Sequence, residues 1–147
     1  MIVSLGADHA GFPLKQRVRK IIEGLGHQVI DCGTDSTDPV DFPDITAATC
    51  APVQRGEAAR AVLVCGTGQG ALMAANKLTG IRCGLAHEPY SAHQAVEHDD
   101  ANVIAMGAWL VPHALIPDIV REYLEATFDD DADTRRRVDK LNALDAR

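Results

Sequence analysis

Aromatic side chains are scarce in this sequence: one Trp, two Tyr and three Phe among 147 residues. A core must therefore be assembled from Ala, Val, Ile and Leu. Basic residues are outnumbered, 14 Lys and Arg against 21 Asp and Glu, which leaves a formal net charge of −7 and a pI near 5.2. That balance argues against a polyanionic partner such as nucleic acid. No apolar run approaches the roughly 20 residues of a membrane span. The opening Met-Ile-Val-Ser-Leu-Gly-Ala-Asp is too short in apolar residues for a signal-peptide core. The expectation is a cytoplasmic chain with no membrane partner. The four cysteines, Cys32, Cys50, Cys65 and Cys83, form no Cys-x-x-Cys pair and match no zinc spacing. Neither a metal site nor a disulfide framework is expected, and the default role of each cysteine is a small buried hydrophobe.

What is present is ordinary globular material, 46% hydrophobic and 24% charged. The length suits one domain and leaves no room for a dinucleotide domain beside a substrate domain. Residues 1–128 read as that domain, and residues 129–147 as a C-terminal helix that completes a site or a dimer.

Short apolar runs alternate with longer amphipathic ones. Strands are expected at Ile2–Leu5, Val29–Asp31, Arg60–Cys65, Arg82–Ala86 and Asn102–Met106. Helices are expected at Phe12–Leu25, Ile45–Gln54, Ala71–Lys77, Pro89–Glu97, Pro112–Thr127 and Thr134–Leu144. In the first helix Leu14, Val18, Ile21, Ile22 and Leu25 share a stripe, with Lys15, Arg17, Arg19 and Lys20 mostly off it. Continuously apolar strands between helices imply an α/β fold whose roughly five-stranded parallel sheet is covered on both faces. Ligands bind such sheets beyond the carboxyl ends of the strands, where the strand order reverses. The strand-to-helix loops are therefore the places to look.

The sharpest of these is Cys65-Gly66-Thr67-Gly68-Gln69-Gly70. Glycines after a buried strand let backbone N–H groups converge on an anion at a helix start. A thiol at the strand tip sits beside the same partial positive charge, a setting that favours a reactive thiolate. Together they suit removal of a proton next to a carbonyl while the oxygen becomes anionic, with an enediolate as intermediate. Two rival readings stand beside this one. Gly66-Thr67-Gly68-Gln69-Gly70-Ala71 matches a dinucleotide fingerprint with Glu88 about 20 residues on, although two strands precede it instead of none. The loop could also be a tight turn with Cys65 as core filler. A second feature, Asp8-His9 between Gly6 and Gly11, is either a site pair or an N-cap with a surface His. A third, His98 beside Asp99 and Asp100, is either an acid/base group or a solvated helix end.

These pieces resemble the ribose-5-phosphate isomerase B family, which includes the galactose-6-phosphate isomerase subunits. The resemblance is carried by Gly6-Ala7-Asp8-His9-Ala10-Gly11 with Leu14-Lys15, by Asp41-Phe42-Pro43, and by the Cys65–Gly70 loop. It continues through Ala74-Ala75-Asn76-Lys77, Gly80-Ile81-Arg82, Glu88–Ala92, His98 and Asn102-Val103. It implies a Rossmann-like three-layer sandwich, a homodimer or tetramer with shared sites, and aldose–ketose isomerisation of sugars or sugar phosphates without metal or organic cofactor. By motif match, Cys65 would move the proton between carbons and Thr67 would assist between oxygens. The amides of Gly66, Gly68 and Gly70 would hold the enediolate, and Asp8 the sugar hydroxyls. His98 of a neighbouring subunit would open the sugar ring, with Asp99 next to it. His9 and Arg137 would contact phosphate.

The chain departs from the family pattern at four places. Asp99 follows the histidine where Asn is usual, Trp109 stands for an Arg, Asp133 for another Arg, and Phe42 for a Tyr. The proton-transfer residues are thus present while the expected phosphate grip is weakened. Arg135 or Arg136 could compensate. The expectation is isomerisation of ribose 5-phosphate and ribulose 5-phosphate or a related sugar. Its alternative is a different, even unphosphorylated, sugar, with Trp109 offering an apolar face. A ligand-binding module without catalysis and an inert partner subunit are the other classes.

Overall fold

A computed structural model describes residues 1–145; the last two residues of the expected tail lie outside them. Five strands form one parallel sheet: β1 (Ile2–Ala7), β2 (Gln28–Asp31), β3 (Arg60–Cys65), β4 (Cys83–Leu85) and β5 (Val103–Gly107), in the order β2-β1-β3-β5-β4. Successive side chains of a strand face opposite ways, so the sheet covers two cores, and its central strands β3 and β5 feed both. Val3, Leu5, Val62, Val64, Ile104 and Met106 enter one, under α1 (Phe12–Gly24), α4 (Pro89–Glu97) and α5 (Ile116–Glu125). Ala61, Leu63, Cys65, Val103 and Ala105 enter the other, under α2 (Phe42–Gln54) and α3 (Gln69–Ala75). The result is the expected three-layer α/β sandwich. A further helix, α6 (Ala132–Asn142), carries the tail.

Differences from the sequence reading have local causes. The second helix starts three residues early, because Pro43 is tolerated in a first turn where its missing N–H is not needed. The expected long helix from Pro112 divides into a 3₁₀ turn at His113–Leu115 and α5, with Pro117 at the new first turn. Lys15 is fully buried rather than off the apolar stripe. Its ammonium donates to Asp31 Oδ1 at 2.7 Å and to the Thr34 carbonyl at 2.6 Å, and lies over the Phe12 ring. A buried lysine is tolerable only with such partners. It ties α1 to the end of β2 and to the segment at Gly33–Thr34, which also exchanges main-chain hydrogen bonds with Ala7.

Candidate active site

The strand order reverses between β1 and β3, since β1 leads outward to β2 on one side while β3 lies on the other. The loops that leave these two strands meet at their carboxyl ends. Asp8 N–H donates to the Val64 carbonyl at 3.2 Å. Gly11 lies so close that a Cβ there would stand 2.0 Å from the same oxygen. The Asp8 carboxylate accepts from Ala10 N–H and Gly11 N–H, both at 2.9 Å through Oδ1. One carboxylate oxygen is therefore used to shape the turn before α1, whose N-cap is Gly11 and not Asp8. His9 Nδ1 accepts from Val40 N–H at 3.2 Å, which leaves Nε2 as the protonated nitrogen of the neutral ring. A groove of about 570 Å³ runs beside it, lined by His9, Val40, Asp41, Asp44 and Ile45.

Cys65 ends β3 and is 6% exposed, packed from below by Ala71 and its neighbours. Its sulfur is not enclosed in hydrocarbon alone: Gly68 N–H donates to Sγ at 3.0 Å. That bond requires Gly68 to turn back at φ +82, a left-handed conformation that favours glycine. The helix that follows has only seven residues. A helix this short adds little dipole, so the positive group placed on the sulfur is the Gly68 amide. Thr67 accepts from Gln69 N–H at 3.3 Å and is half-buried. Burial pushes the pKa of the other cysteines up, Cys50 to about 12 and Cys32 and Cys83 in the same direction. They remain thiols.

The loop after β5 is laced onto this one. Ala108 N–H donates to the Cys65 carbonyl at 2.8 Å and Trp109 N–H to the Gly66 carbonyl at 3.0 Å. The Trp109 ring stands on Gly66, where a Cβ would come within 2.7 Å of it, yet the side chain is 72% exposed. On the other flank the Phe42 ring stands against Gly70, 3.0 Å from a Cβ built there. Two residues that the sequence reading left without a role join the site. Phe42 is one. His87 is the other: its Nε2 accepts from Gly107 N–H at 2.9 Å, and Gly107 abuts the Thr67 backbone. Its position just past β4, at the carboxyl edge, is the signal that could have found it.

The remaining candidates lie elsewhere in the same protomer. His98 caps the end of α4, exposed, 3.7 Å from Glu97. The chain there is about to enter β5 from its amino end, where Ala61 N–H donates to the Asn102 carbonyl. Asp99 lines a separate cavity of about 840 Å³ with Arg82, Cys83 and Leu141. Arg137 is exposed on α6, whose far end reaches Arg82 through Asn142. Thus Asp8, His9, Cys65, Gly66, Thr67, Gly68, Gly70 and Trp109 gather at one pole, while His98, Asp99 and Arg137 lie at the other. Arg135 pairs with Asp130 at 2.6 Å and Arg136 with Asp133, so both substitute arginines are engaged within the tail. Among the described residues no cluster of three or more His, Cys, Asp or Glu could hold a metal ion, and no helix is long and apolar enough to cross a membrane.

Comparison with known proteins agrees with this fold. The chain is 37% identical over 145 residues to ribose-5-phosphate isomerase B of Escherichia coli, covering 99% of this chain and 97% of that one. It is 36% identical to D-erythrulose-4-phosphate isomerase 2 of Mycolicibacterium smegmatis, covering 97% and 96%. It is 33% identical to 4-deoxy-4-sulfo-D-erythrose isomerase of a Clostridium species, covering 93% and 87%. The fold superposes on ribose-5-phosphate isomerase B of Clostridium thermocellum with a TM-score of 0.95 at 36% identity, over 99% and 98% of the two chains. The family model described as Ribose/Galactose Isomerase matches residues 3–141, and the chain belongs to that family of aldose–ketose isomerases.

Proposed function

We propose that this protein interconverts ribose 5-phosphate and ribulose 5-phosphate, or a closely related sugar, through an enediolate. The observation that carries the reading is the Gly68 N–H donating to Cys65 Sγ at 3.0 Å at the strand-order reversal. The thiolate is the form of a cysteine that acts as a base, and the amide gives it a hydrogen-bond donor. Cys65 takes the proton from one carbon and returns it to its neighbour. Thr67 hands a proton between the two oxygens, and the amides of Gly66, Gly68 and Gly70 hold the oxygen that turns anionic. Asp8 has carboxylate capacity left for sugar hydroxyls, because only one of its oxygens is used in its turn.

His98 and Arg137 reach this chemistry from a neighbouring subunit, His98 to open the cyclic sugar and Arg137, with His9, to hold phosphate. Support comes from their position: neither lies at the Cys65 pole of its own protomer. Arg137 is exposed and makes no ion pair among the described residues.

The relatives leave the sugar open, because proteins of similar identity are named for a pentose phosphate, a tetrulose phosphate and a sulfonated tetrose. A second reading, a sugar without phosphate, is favoured by Trp109 and by Asp133, which engages Arg136. Exchange of the C2 hydrogen with solvent tests the mechanism. Cys65→Ala should lose that exchange while sugar binding survives; retained exchange would assign the base elsewhere. A panel of tetroses, pentoses and hexoses, each with and without phosphate, tests the substrate.

A further inference from the structure

The loops at the carboxyl ends of the strands, residues 8–11, 32–41, 66–68, 86–88 and 108–112, contain no Lys or Arg and five carboxylates, Asp8, Asp35, Asp38, Asp41 and Glu88. Lys15, four residues past the first of these loops, is buried and bound to Asp31. These loops of one protomer therefore bring no Lys or Arg to a phosphate dianion. What the Cys65 pole has instead is aromatic surface. Trp109 stands on Gly66 and Phe42 against Gly70, so two of the chain's six aromatic side chains flank the short loop that carries Cys65. Trp109 is held from behind by its own N–H on the Gly66 carbonyl and by that glycine's Cα. Nearly three-quarters of the side chain is nevertheless open to solvent. A large apolar face left open beside a polar cradle is a surface for a ligand with one apolar face and several hydroxyls, as a sugar presents.

We propose that Trp109 is a specificity-determining residue of this site: its indole stacks on the C–H face of the substrate's carbon chain, opposite Phe42, so that the site holds sugars without depending on a phosphate. This rests on the isomerase reading above. The stacking contact is available equally to a phosphorylated sugar and to its free counterpart. A charged contact at the same place would serve only the phosphorylated one. Trp109 thus narrows the difference between the two.

The test compares kcat/KM for ribose 5-phosphate with ribose, and for erythrose 4-phosphate with erythrose, in the unmodified protein, Trp109→Phe, Trp109→Ala and Trp109→Arg. Trp109→Phe should keep the ratio of phosphorylated to free sugar. Trp109→Arg should raise it by about tenfold or more, through gain on the phosphorylated sugar and loss on the free one. Trp109→Ala should raise KM for both with little change in kcat. Ratios unmoved by all three substitutions would overturn the proposal. Because Trp109 is the sole tryptophan, its emission gives a readout independent of turnover. Free sugar added to the Cys65→Ala protein should shift that emission saturably. Binding seen by calorimetry without any shift would overturn the stacking even if the protein is an isomerase. If no sugar is turned over and none binds, the isomerase reading falls and Trp109's role falls with it.

Discussion

Cys65 and His98 lie at opposite ends of the same parallel sheet. Cys65 closes β3 at its carboxyl end, whereas His98 sits where the chain turns toward the amino end of β5. Six residues of strand separate the two poles, on the order of 17 Å. No rotamer change within one protomer closes that gap, so a reaction that uses both side chains must draw them from two subunits.

Subunit mixing measures this. Cys65→Ala and His98→Asn proteins should each be poorly active alone. Mixed and reassorted as dimers, half the dimers contain one of each, and one of their two sites is intact. About a quarter of the unmodified activity should return. A mixture no better than its components would show that His98 works in its own protomer or not at all.

Gly68 holds the bond to sulfur through its positive φ. Gly68→Ala should lose that conformation, at a cost of about 1–2 kcal/mol. Its Cβ would also stand 2.7 Å from Leu85 and 3.2 Å from the Met106 main chain. Leu85 can yield but the main chain cannot. The expected outcome is a lowered melting temperature and a fall in kcat larger than the rise in KM. A variant with unchanged kcat would mean that the amide is not needed by the thiolate.

Much of this was legible before any coordinates. The five strands, the glycine loop and the two-faced sheet follow from continuous apolar runs punctuated by glycine and proline, which are local signals. The position of Cys65 at a loop beyond a carboxyl end follows from the same pattern. The burial of Lys15 was not legible. It follows from where Asp31 and the Thr34 carbonyl arrive in space, and a helical wheel contains neither. His87 drew no functional claim for the same reason: its contact depends on Gly107, twenty residues away, being adjacent across the sheet. The separation of His98 and Arg137 from Cys65 is topological, and the order of helices and strands alone does not state it.

Lys15 gives a stability test. Removing its ammonium leaves the Asp31 carboxylate, one-quarter exposed, without its main partner, and leaves the Thr34 carbonyl without its donor. Lys15→Ala should destabilise the fold by about 3 kcal/mol, the lower end for a broken buried pair because Asp31 retains some water. Lys15→Met, which refills the volume, should lose less. Equal losses would mean that the ammonium and its bonds, not packing against Phe12, are what this position supplies.

Asp131 opens α6 and thereby sets the helix that carries Arg137. Its carboxylate accepts from Thr134 N–H at 2.9 Å, from the Thr134 hydroxyl at 2.9 Å and from Asp133 N–H at 2.7 Å. These bonds, those from Thr134 first, hold it below its ordinary value of 3.8. A carboxyl whose folded value is depressed stabilises the folded state above its unfolded value, and that contribution is lost as pH falls through the lower folded value. Asn at this position can accept the same amide bonds through its carbonyl but carries no charge. Hydrogen exchange of the α6 amides should therefore be slower in the unmodified protein than in Asp131→Asn at neutral pH, and the two should converge as pH drops below 3.8. If α6 delivers Arg137 to a neighbouring site, the same substitution should raise KM for phosphorylated sugars at neutral pH and leave that for free sugars in place. An equal rise for both would mean that the helix serves the site through packing rather than through Arg137.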